Sequence, residues 1–310
     1  MVGIGVLGER NGEPVEEQKR DSVESLPAQS PTIVSISDIH GFLQSARSAL
    51  LTLTDHSEYE PIVESGRLGE LQWAGGEEYV LVFNGDLIDR GAHSAEVLEL
   101  VERLVDQAPP GHVRVTFGNH EMGILTPDFF NWGNWYSTTR TDDQRLSFLQ
   151  HIRHGHTVAA YEGYNVTYAH AGLPEPYEVS EVNEELVAGA RDLEAVIGDS
   201  EDAEMQEQLV LEYPRVFGVD GERGRGPEAG IAWLDFEYMP GDAPPQVVGH
   251  TRQDSPLRRG NVICQNVIRN NRRKDGGEAV LVETPDRLVA LGRNADDTVR
   301  EHEFDLPASV

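Results

Sequence analysis

The chain has 310 residues, and its 54 aspartates and glutamates against 25 lysines and arginines give a formal net charge of −29 at pH 7. This charge repels nucleic-acid backbones and anionic membrane surfaces, which argues against a non-specific nucleic-acid-binding protein and against a membrane-surface protein. The acidic residues are spread from Glu9 to Asp305 and are not collected in one tail. Because molar salt shortens the Debye length to about 3 Å and weakens this self-repulsion, we expect a halophilic protein.

Cysteine usage and hydropathy indicate the compartment. The single cysteine, Cys264, excludes an intrachain disulfide and is typical of a reducing interior. No apolar run reaches the length of about 18 residues that a membrane helix needs, and the first residues lack the basic leader of a secretory signal. These features predict a cytoplasmic protein.

The first part of the chain is polar. Residues 9–31 are acidic and contain Pro14, Pro27 and Pro31, a composition that is typical of a mobile segment. We therefore predict a flexible acidic N-terminal arm over residues 1–31, followed by one domain over residues 32–310.

Five short segments have the apolar pattern of strands, and each ends at a loop of glycine, aspartate, asparagine or histidine. The run at 79–83 is apolar throughout, as in a strand buried on both faces, whereas 113–117 alternates, as in a strand with one polar face. The five segments cover residues 33–36, 79–83, 113–117, 164–168 and 246–248.

Helices are predicted between these strands. Residues 43–54 have leucines at helical spacing, residues 94–105 resemble a helix, and residues 279–291 predict a closing hairpin. Residues 177–230 form a long acidic insertion with helical segments, which we predict to cap or flank the site. The element order predicts an α/β layered fold with its ligand site at the loops beyond the strand ends.

The first two loops carry acidic motifs. Asp38 and His40, in D-I-H-G, can both turn toward one ion, although Asp38 could equally cap a helix. In G-D-L-I-D-R-G, Asp86 directly follows a strand and can bridge two ions. Asp89 lies one turn further along, and Arg90 offers a planar set of donors that matches phosphate oxygens.

The other three loops carry asparagine and histidine. In G-N-H-E, Asn119 can ligate a metal without adding charge, and His120 can donate a proton. His170 in A-H-A-G and His250 in G-H-T would each, alone, be read as an ordinary loop residue. The five motifs together, each after a strand, indicate a metal-dependent active site.

The motifs S-D-I-H-G, G-D-L-I-D-R-G, G-N-H-E, A-H-A-G and G-H-T, in this order, resemble those of the PPP-type serine/threonine protein phosphatases of the calcineurin-like metallophosphoesterase superfamily. The H-A-G form is similar to prokaryotic members, including haloarchaeal ones, and to symmetrical diadenosine tetraphosphatases. Those last enzymes usually lack the Asp-Arg-Gly ending seen at residues 89–91, and they have Trp at the position of Thr251. The chain is thus more similar to the protein phosphatases.

The resemblance implies a four-layer α/β/β/α metallophosphoesterase sandwich with an inserted cap region. It also implies two divalent metal ions per chain, with Asp86 between them, and direct attack on a phosphate monoester by a metal-bridging hydroxide. The mixed oxygen and nitrogen ligands suit manganese, iron or zinc, and we expect manganese. The implied metal ligands are Asp38, His40 and Asp86 for the first ion and Asp86, Asn119, His170 and His250 for the second.

The resemblance assigns the remaining roles to three residues and leaves one open. His120 would be the general acid, Asp89 would orient it, and Arg90 would bind the phosphate. The family has a second phosphate-binding arginine before the last Gly-His motif, and none stands between Trp233 and His250 here. Its substitute could be Arg223, Arg225 or Arg252, of which we select Arg225.

We read two other conspicuous groups as structural. Aromatic residues at 132–136 are interpreted as packing, and the basic residues at 269–274 as a solvated turn. We therefore predict a protein serine/threonine phosphatase-like hydrolase acting on a phosphorylated protein or a small phosphate ester, with no nucleic-acid or membrane partner. The alternatives are a diadenosine tetraphosphatase or nucleotide-end phosphatase and, from another class, a non-catalytic metal-binding regulatory protein. The sequence does not indicate an oligomeric state.

Overall fold

The computed structural model describes residues 21–27, 30–221 and 223–307, and its architecture rests on two β-sheets. Within these ranges the larger sheet has seven strands, of which four neighbouring strands are parallel and the other three continue the sheet in antiparallel fashion. Across the sheet the strands are β14 (Val299–Phe304), β13 (Arg287–Arg293), β12 (Ala279–Thr284), β1 (Thr32–Ile36), β4 (Tyr79–Phe83), β5 (Val113–Thr116) and β6 (Thr157–Val158).

The smaller sheet has five strands in the described part of the chain. Its centre is parallel, and its two edge strands are antiparallel to their neighbours. Across the sheet the strands are β10 (Leu257–Arg259), β11 (Val262–Cys264), β9 (Gln246–Val248), β8 (Thr167–Ala169) and β7 (Ala160–Glu162). A separate two-stranded ribbon consists of β2 (Val63–Ser65) and β3 (Leu71–Trp73).

Helices cover the outer faces of both sheets. In the helix Ser94–Gln107, for example, the buried Val97, Val101 and Leu104 recur at intervals of three and four residues and form one apolar stripe. The helices are α1 (Leu43–Leu50), α2 (Ser94–Gln107), α3 (Asn119–Leu125), α4 (Pro127–Phe130), α5 (Asp142–Arg153), α6 (Val179–Glu194), α7 (Asp202–Glu212), α8 (Pro214–Phe217) and α9 (Ile268–Asn271).

The alternation of side chains along the central strands produces four layers. In β4, Leu81 and Phe83 pack against α1 and α2, whereas Val80 and Val82 face the second sheet. In β9, Val247 belongs to the apolar core between the two sheets, whereas Val248 points outward to the layer of α5 and α6. The predicted α/β/β/α sandwich is therefore confirmed.

Several boundaries differ from the prediction. The predicted helix over 43–54 ends at Leu50, and the predicted strand over 164–168 is found at Thr167–Ala169, because residues 163–165 turn back toward β12. The alternating segment at 113–117 has no exposed polar face: β5 is buried on both sides, and Thr116 donates a hydrogen bond to the buried Asn84. Periodicity alone does not show that a polar face is covered by another layer.

The predicted N-terminal arm is described only in part. Residues 1–20 and 28–29 lie outside the described residues. Residues 21–27 are not an arm, because Val23 and Leu26 are buried in the core between the sheets and the N–H of Glu162 donates to the carbonyl of Asp21. Two apolar side chains in an otherwise polar segment anchor it.

The region 177–230 contributes α6, α7 and α8 to the outer layer over the smaller sheet. Its last loop, near Arg225, lines the cavity described below. The extent of a separate cap stays a prediction. No helix in the described ranges combines the length and the apolar character needed to cross a membrane.

Candidate metal centre

The predicted metal ligands converge at one edge of the sheets, beyond the carboxyl ends of β1, β4, β5, β8 and β9. Because parallel strands end at the same edge, loops that are distant in sequence meet there. All six predicted metal ligands are buried: Asp38, His40, Asp86, Asn119, His170 and His250.

The chain leaves these strands in left-handed backbone conformations. Nine non-glycine residues in the described ranges have positive φ, and six of these belong to the predicted site, with φ between 49° and 70°. Residues that carry a Cβ atom are strained in this conformation, and strained residues of this kind are concentrated at functional sites. The six residues are Asp38, His40, Asp86, Asp89, Arg90 and His250.

A first group of possible ligand atoms surrounds His40. Its Nδ1 donates to the carbonyl of Ile88 at 3.0 Å, so its Nε2 keeps a lone pair. That Nε2 lies 3.5 Å from Asp86 Oδ2 and 3.9 Å from Asp38 Oδ1. Burial lowers the pKa of His40 to about 3, so the imidazole is neutral and its lone pair faces carboxylate oxygens. Acceptors facing one another in this way fit a cation between them.

A second group surrounds His170. Its Nδ1 donates to the carbonyl of Asn84 at 3.0 Å, and its Nε2 lies 3.4 Å from Asp86 Oδ1. The same Nε2 is 3.2 Å from Asn119 Oδ1 and 3.2 Å from His250 Nδ1. Burial lowers the pKa of both His170 and His250, which keeps their nitrogens available as ligands. This group also fits a divalent cation.

Asp86 lies between the two groups, with Oδ2 toward His40 and Oδ1 toward His170. Burial and the charge of Asp86 together raise the pKa of Asp38. Divalent cations bound beside these carboxylates would relieve this repulsion.

His120 is held differently from the other histidines. Its Nδ1 donates to Asp89 Oδ2 at 2.6 Å, and its Nε2 accepts from Arg90 Nη2 at 3.1 Å. Although this Nε2 lies 3.9 Å from Asp86 Oδ2, its lone pair already has a donor, so it does not have the free lone pair of His40. The indole of Trp135 stacks on the His120 ring at 5.0 Å. The arrangement orients an imidazole and backs it with a carboxylate.

A cavity of about 540 Å³ opens beside this centre. Arg90 and Arg225, the two arginines selected from the sequence, both line it, and so do the alternatives Arg223 and Arg252. Arg225 is not free, because its Nη2 lies 2.8 Å from Asp235 Oδ2 and donates to Thr251 Oγ1 at 3.2 Å.

The interpretations of residues 132–136 and 269–274 need correction. Trp132 and Trp135 do pack, but they also form part of the cavity wall, and Arg269 lines the cavity instead of a solvated turn. The sequence contained no sign of this, because the cavity wall consists of segments that meet only in the folded chain.

Three supporting residues also escaped the sequence analysis. Glu121 accepts hydrogen bonds from the backbone N–H groups of Asp86 and Leu87, and its pKa is raised to about 8 by burial and by Asp86. Ser137 donates to Asp89 through both its N–H and its hydroxyl. Asn266 Nδ2 donates to Asp38 Oδ1 at 2.6 Å. The adjacency of Glu121 to His120 was the one available signal.

Solved structures with a similar fold include phosphatases. A cold-active protein-tyrosine phosphatase from a psychrophilic Shewanella species is 20% identical, with 89% of this chain and 81% of that one covered and a TM-score of 0.55. A mutant of a cold-active protein tyrosine phosphatase is 19% identical, with 94% and 85% covered and a TM-score of 0.57. At these identities the likeness shows a shared fold.

Curated relatives match over shorter stretches. Shewanella-like protein phosphatase 2 of Arabidopsis thaliana is 29% identical over 119 residues, which are 34% of this chain and 27% of that protein. A probable serine/threonine-protein phosphatase of Encephalitozoon cuniculi (strain GB-M1) is 25% identical over 170 residues, which are 53% of this chain and 35% of that protein. This chain thus spans about a third of the length of these relatives.

The family profile described as calcineurin-like phosphoesterase matches residues 31–204. The match covers more than half of the chain and includes the loops that carry Asp38, Asp86, His120 and His170. In the described residues, the side chains that could hold a metal ion form two groups, with His40, Asp86 and His120 in one and Asp86, His170 and His250 in the other. Together with the fold, the match shows that this chain belongs to the calcineurin-like phosphoesterase family.

Proposed function

We propose that this protein hydrolyses phosphate monoesters with two bound divalent cations and acts as a protein serine/threonine phosphatase-like enzyme. The observation that carries the proposal is the His120 imidazole, which lies beside the ligand groups with Asp89 behind it and Arg90 at its other nitrogen. A metal-binding scaffold has no use for an oriented proton donor beside its ions. A hydrolase needs one to protonate the leaving oxygen.

The proposed metal ligands are those of the two groups, with Asp86 shared. Bound divalent cations would supply an activated water as nucleophile and would neutralise charge on the phosphoryl oxygens. Carboxylate, amide and imidazole ligands together suit manganese, which we propose as the metal. The ligands are Asp38, His40, Asp86, Asn119, His170 and His250.

The protein's own groups would bind the phosphate and move one proton. The guanidinium of Arg90, which lies over the Trp135 ring at 4.7 Å, would turn to the phosphoryl oxygens. This would free the lone pair of His120 Nε2, which would take up a proton from solvent and give it to the leaving alkoxide. Asp89 stabilises the resulting cationic imidazolium before transfer, and Ser137 fixes Asp89 through two hydrogen bonds.

The class of substrate is the finer part of the proposal. Three observations support phosphoserine and phosphothreonine esters as the substrate class. They are Asp-Arg-Gly at residues 89–91, Thr251, and the name of the Encephalitozoon relative. The similar Shewanella structure carries the name of a tyrosine phosphatase, and the H-A-G form at residues 170–172 is shared with diadenosine tetraphosphatases. The test must therefore compare all three substrates.

We would measure turnover of a phosphoserine peptide, the matching phosphotyrosine peptide and diadenosine tetraphosphate by the protein loaded with manganese. We expect the phosphoserine peptide to be hydrolysed fastest, and His120→Asn to abolish that preference. His302→Asn, an exposed histidine on β14, is the matched control and should be unchanged. Faster cleavage of diadenosine tetraphosphate would identify a nucleotide-end phosphatase, and no turnover with both metals bound would identify a regulatory protein.

We also propose that the protein works at high salt. Its charge of −29 must be held on one folded chain, and salt weakens the resulting repulsion. The melting temperature should therefore rise by several degrees between dilute buffer and molar KCl. An unchanged melting temperature over this range would refute the halophilic proposal.

A further inference from the structure

Five arginines line the cavity, although the chain as a whole has more than twice as many acidic as basic residues. Two of them have partners already: Arg90 contacts His120 and Trp135, and Arg225 is paired with Asp235. Arg223, Arg252 and Arg269 differ, because no carboxylate in the described ranges lies within salt-bridge distance of these guanidinium groups. Of these three, Arg252 and Arg269 stand on two segments that are tied to each other and to the metal loops.

The backbone holds these two arginines beside the metal loops. Arg252 comes two residues after His250, and Arg269 lies on α9, which begins two residues after Asn266. The two segments are tied to each other, since the N–H of Gln253 donates to the carbonyl of Asn266 at 2.8 Å and the side chain of Asn271 donates to the carbonyl of Asp254 at 2.9 Å. These hydrogen bonds hold the backbone segments of Arg252 and Arg269 next to each other.

Their closeness costs electrostatic free energy. Burial and, after it, the charges of Arg90, Arg252 and Arg272 lower the pKa of Arg269 to about 10. Like charges in a partly desolvated cavity are stabilised when an anion binds between them. One phosphoryl group is already provided for by Arg90 and the metal ligands, so the remaining positive charge would match a second anion.

The aromatic wall argues against a nucleotide as the carrier of that anion. The Trp135 ring is stacked on His120 and lies under Arg90. The Trp132 ring is stacked on Phe130 at 4.5 Å and packs near Trp233. Both indoles thus already pack against aromatic or cationic side chains of the protein, which favours a substrate without a base to stack. A peptide is such a substrate.

We propose that Arg252 and Arg269 form a second anion subsite, which binds an acidic residue adjacent to the phosphorylated residue of a peptide substrate. This inference rests on the proposed phosphatase function and specifies its substrate. A guanidinium offers a planar pair of donors to a carboxylate, and such charged hydrogen bonds, here to the half-buried Arg269 and the exposed Arg252, contribute about tenfold in binding. The subsite would act in binding the substrate and would take no part in proton transfer.

The test compares two phosphoserine peptides that differ only in the residues after the phosphoserine, Glu-Glu in one and Gln-Gln in the other. At fixed ionic strength we expect the Glu-Glu peptide to have a KM about tenfold lower at a similar kcat. Arg252→Gln and Arg269→Gln should each remove most of this preference while leaving the Gln-Gln peptide within about twofold. Arg273→Gln, four residues beyond Arg269 and outside the cavity, is the control and should keep the preference.

A calorimetric binding measurement separates this inference from the proposed function. It uses non-hydrolysable phosphonate versions of both peptides. A Glu-Glu preference in binding without turnover would reject the phosphatase and keep the subsite. Equal affinity for the two peptides in the wild-type protein would overturn the subsite, and so would equal losses on both peptides in Arg252→Gln and Arg269→Gln. A Glu-Glu preference that Arg273→Gln also removes would assign it to general surface charge and would likewise overturn the proposal.

Discussion

Asp86 and Glu283 are both buried carboxylates, but they lie at opposite ends of the sheet. Asp86 follows the end of β4 at the edge where the metal loops meet. Glu283, on β12, pairs with Ile33 near the start of β1, away from that edge. Asp86 faces the nitrogens of His40 and His170, whereas Glu283 accepts hydrogen bonds from the N–H of Asn165 at 2.5 Å and the hydroxyl of Tyr168 at 2.8 Å.

The difference shows that burial of a carboxylate does not by itself indicate a metal site. Glu283 has donors for its oxygens and no salt-bridge partner in the described ranges, so burial raises its pKa to about 7. Asp86 has neutral imidazoles whose lone pairs point at it, and this is an unfavourable arrangement without a cation. A metal centre is therefore indicated where several acceptor atoms face one another without donors between them. A buried carboxylate whose oxygens already accept hydrogen bonds does not indicate one.

The largest expected effect tests this contrast directly. Asp86→Asn should lower turnover by about 10³-fold or more and reduce the bound metal, because a neutral amide cannot balance charge from two ions. Glu283→Gln is the matched control, since it removes one buried carboxylate far from the metal loops and should keep both metals. Elemental analysis and turnover would be measured on both variants. Two full metals per chain in Asp86→Asn would contradict the bridging position.

The next prediction separates His120 from the proposed ligands. His120→Asn should keep both metals and lower turnover of a phosphoserine substrate by roughly 10²–10⁴-fold. The loss should be smaller on p-nitrophenyl phosphate, whose leaving group needs little protonation. Asp89→Asn should show the same pattern more mildly, because it orients the imidazole. Equal losses on the two substrates, or loss of a metal, would mean that His120 has another role.

Glu283 predicts a pH dependence of stability. Because its pKa rises from 4.5 to about 7 on folding, the folded protein binds more protons than the unfolded chain between these values. Its contribution is present below the unfolded pKa and is lost as the pH rises through about 7. The free energy of unfolding of Glu283→Gln, measured relative to wild type, should therefore increase by up to roughly 3 kcal/mol when the pH is raised from acidic to alkaline buffer. Chemical denaturation of both proteins at constant ionic strength measures this. A difference that does not vary with pH would show that Glu283 ionises normally.

The smallest expected effect concerns Asn266, which donates to Asp38 Oδ1 and to the carbonyl of His250. A hydrogen bond that orients a metal ligand contributes about tenfold to metal affinity, so Asn266→Ala should weaken manganese binding by about that factor. Asn270→Ala, on the helix α9 that follows Asn266, is the control because within the described ranges its side chain donates to Asp254 and to no metal ligand. Competition with a chelating dye measures the affinity without turnover. Unchanged affinity in Asn266→Ala would show that Asp38 is oriented without it.

The sequence pattern was sufficient for the strands that carry the metal loops and for an α/β layered fold, whereas the order of the four layers came from the family resemblance. An unbroken apolar run such as 79–83 can be buried only between two layers, and each motif directly follows its strand. Local pattern also identified the closing hairpin, which the structure confirms as β12 and β13. The shortest strands, such as β6 with two residues and β10 with three, were not predicted, because so few residues cannot establish a period.

Only the tertiary structure brought together residues without a common local pattern. Asn266 and Asp38 are 228 positions apart, and Ser137 and Asp89 are 48 apart, yet both pairs share hydrogen bonds. Arg252 and Arg269 read locally as ordinary basic residues, and only the folded cavity joins them to Arg90. The physical reason is that strand periodicity records which face a side chain takes, whereas the partners that complete a site depend on which distant loops the sheets bring to the same edge.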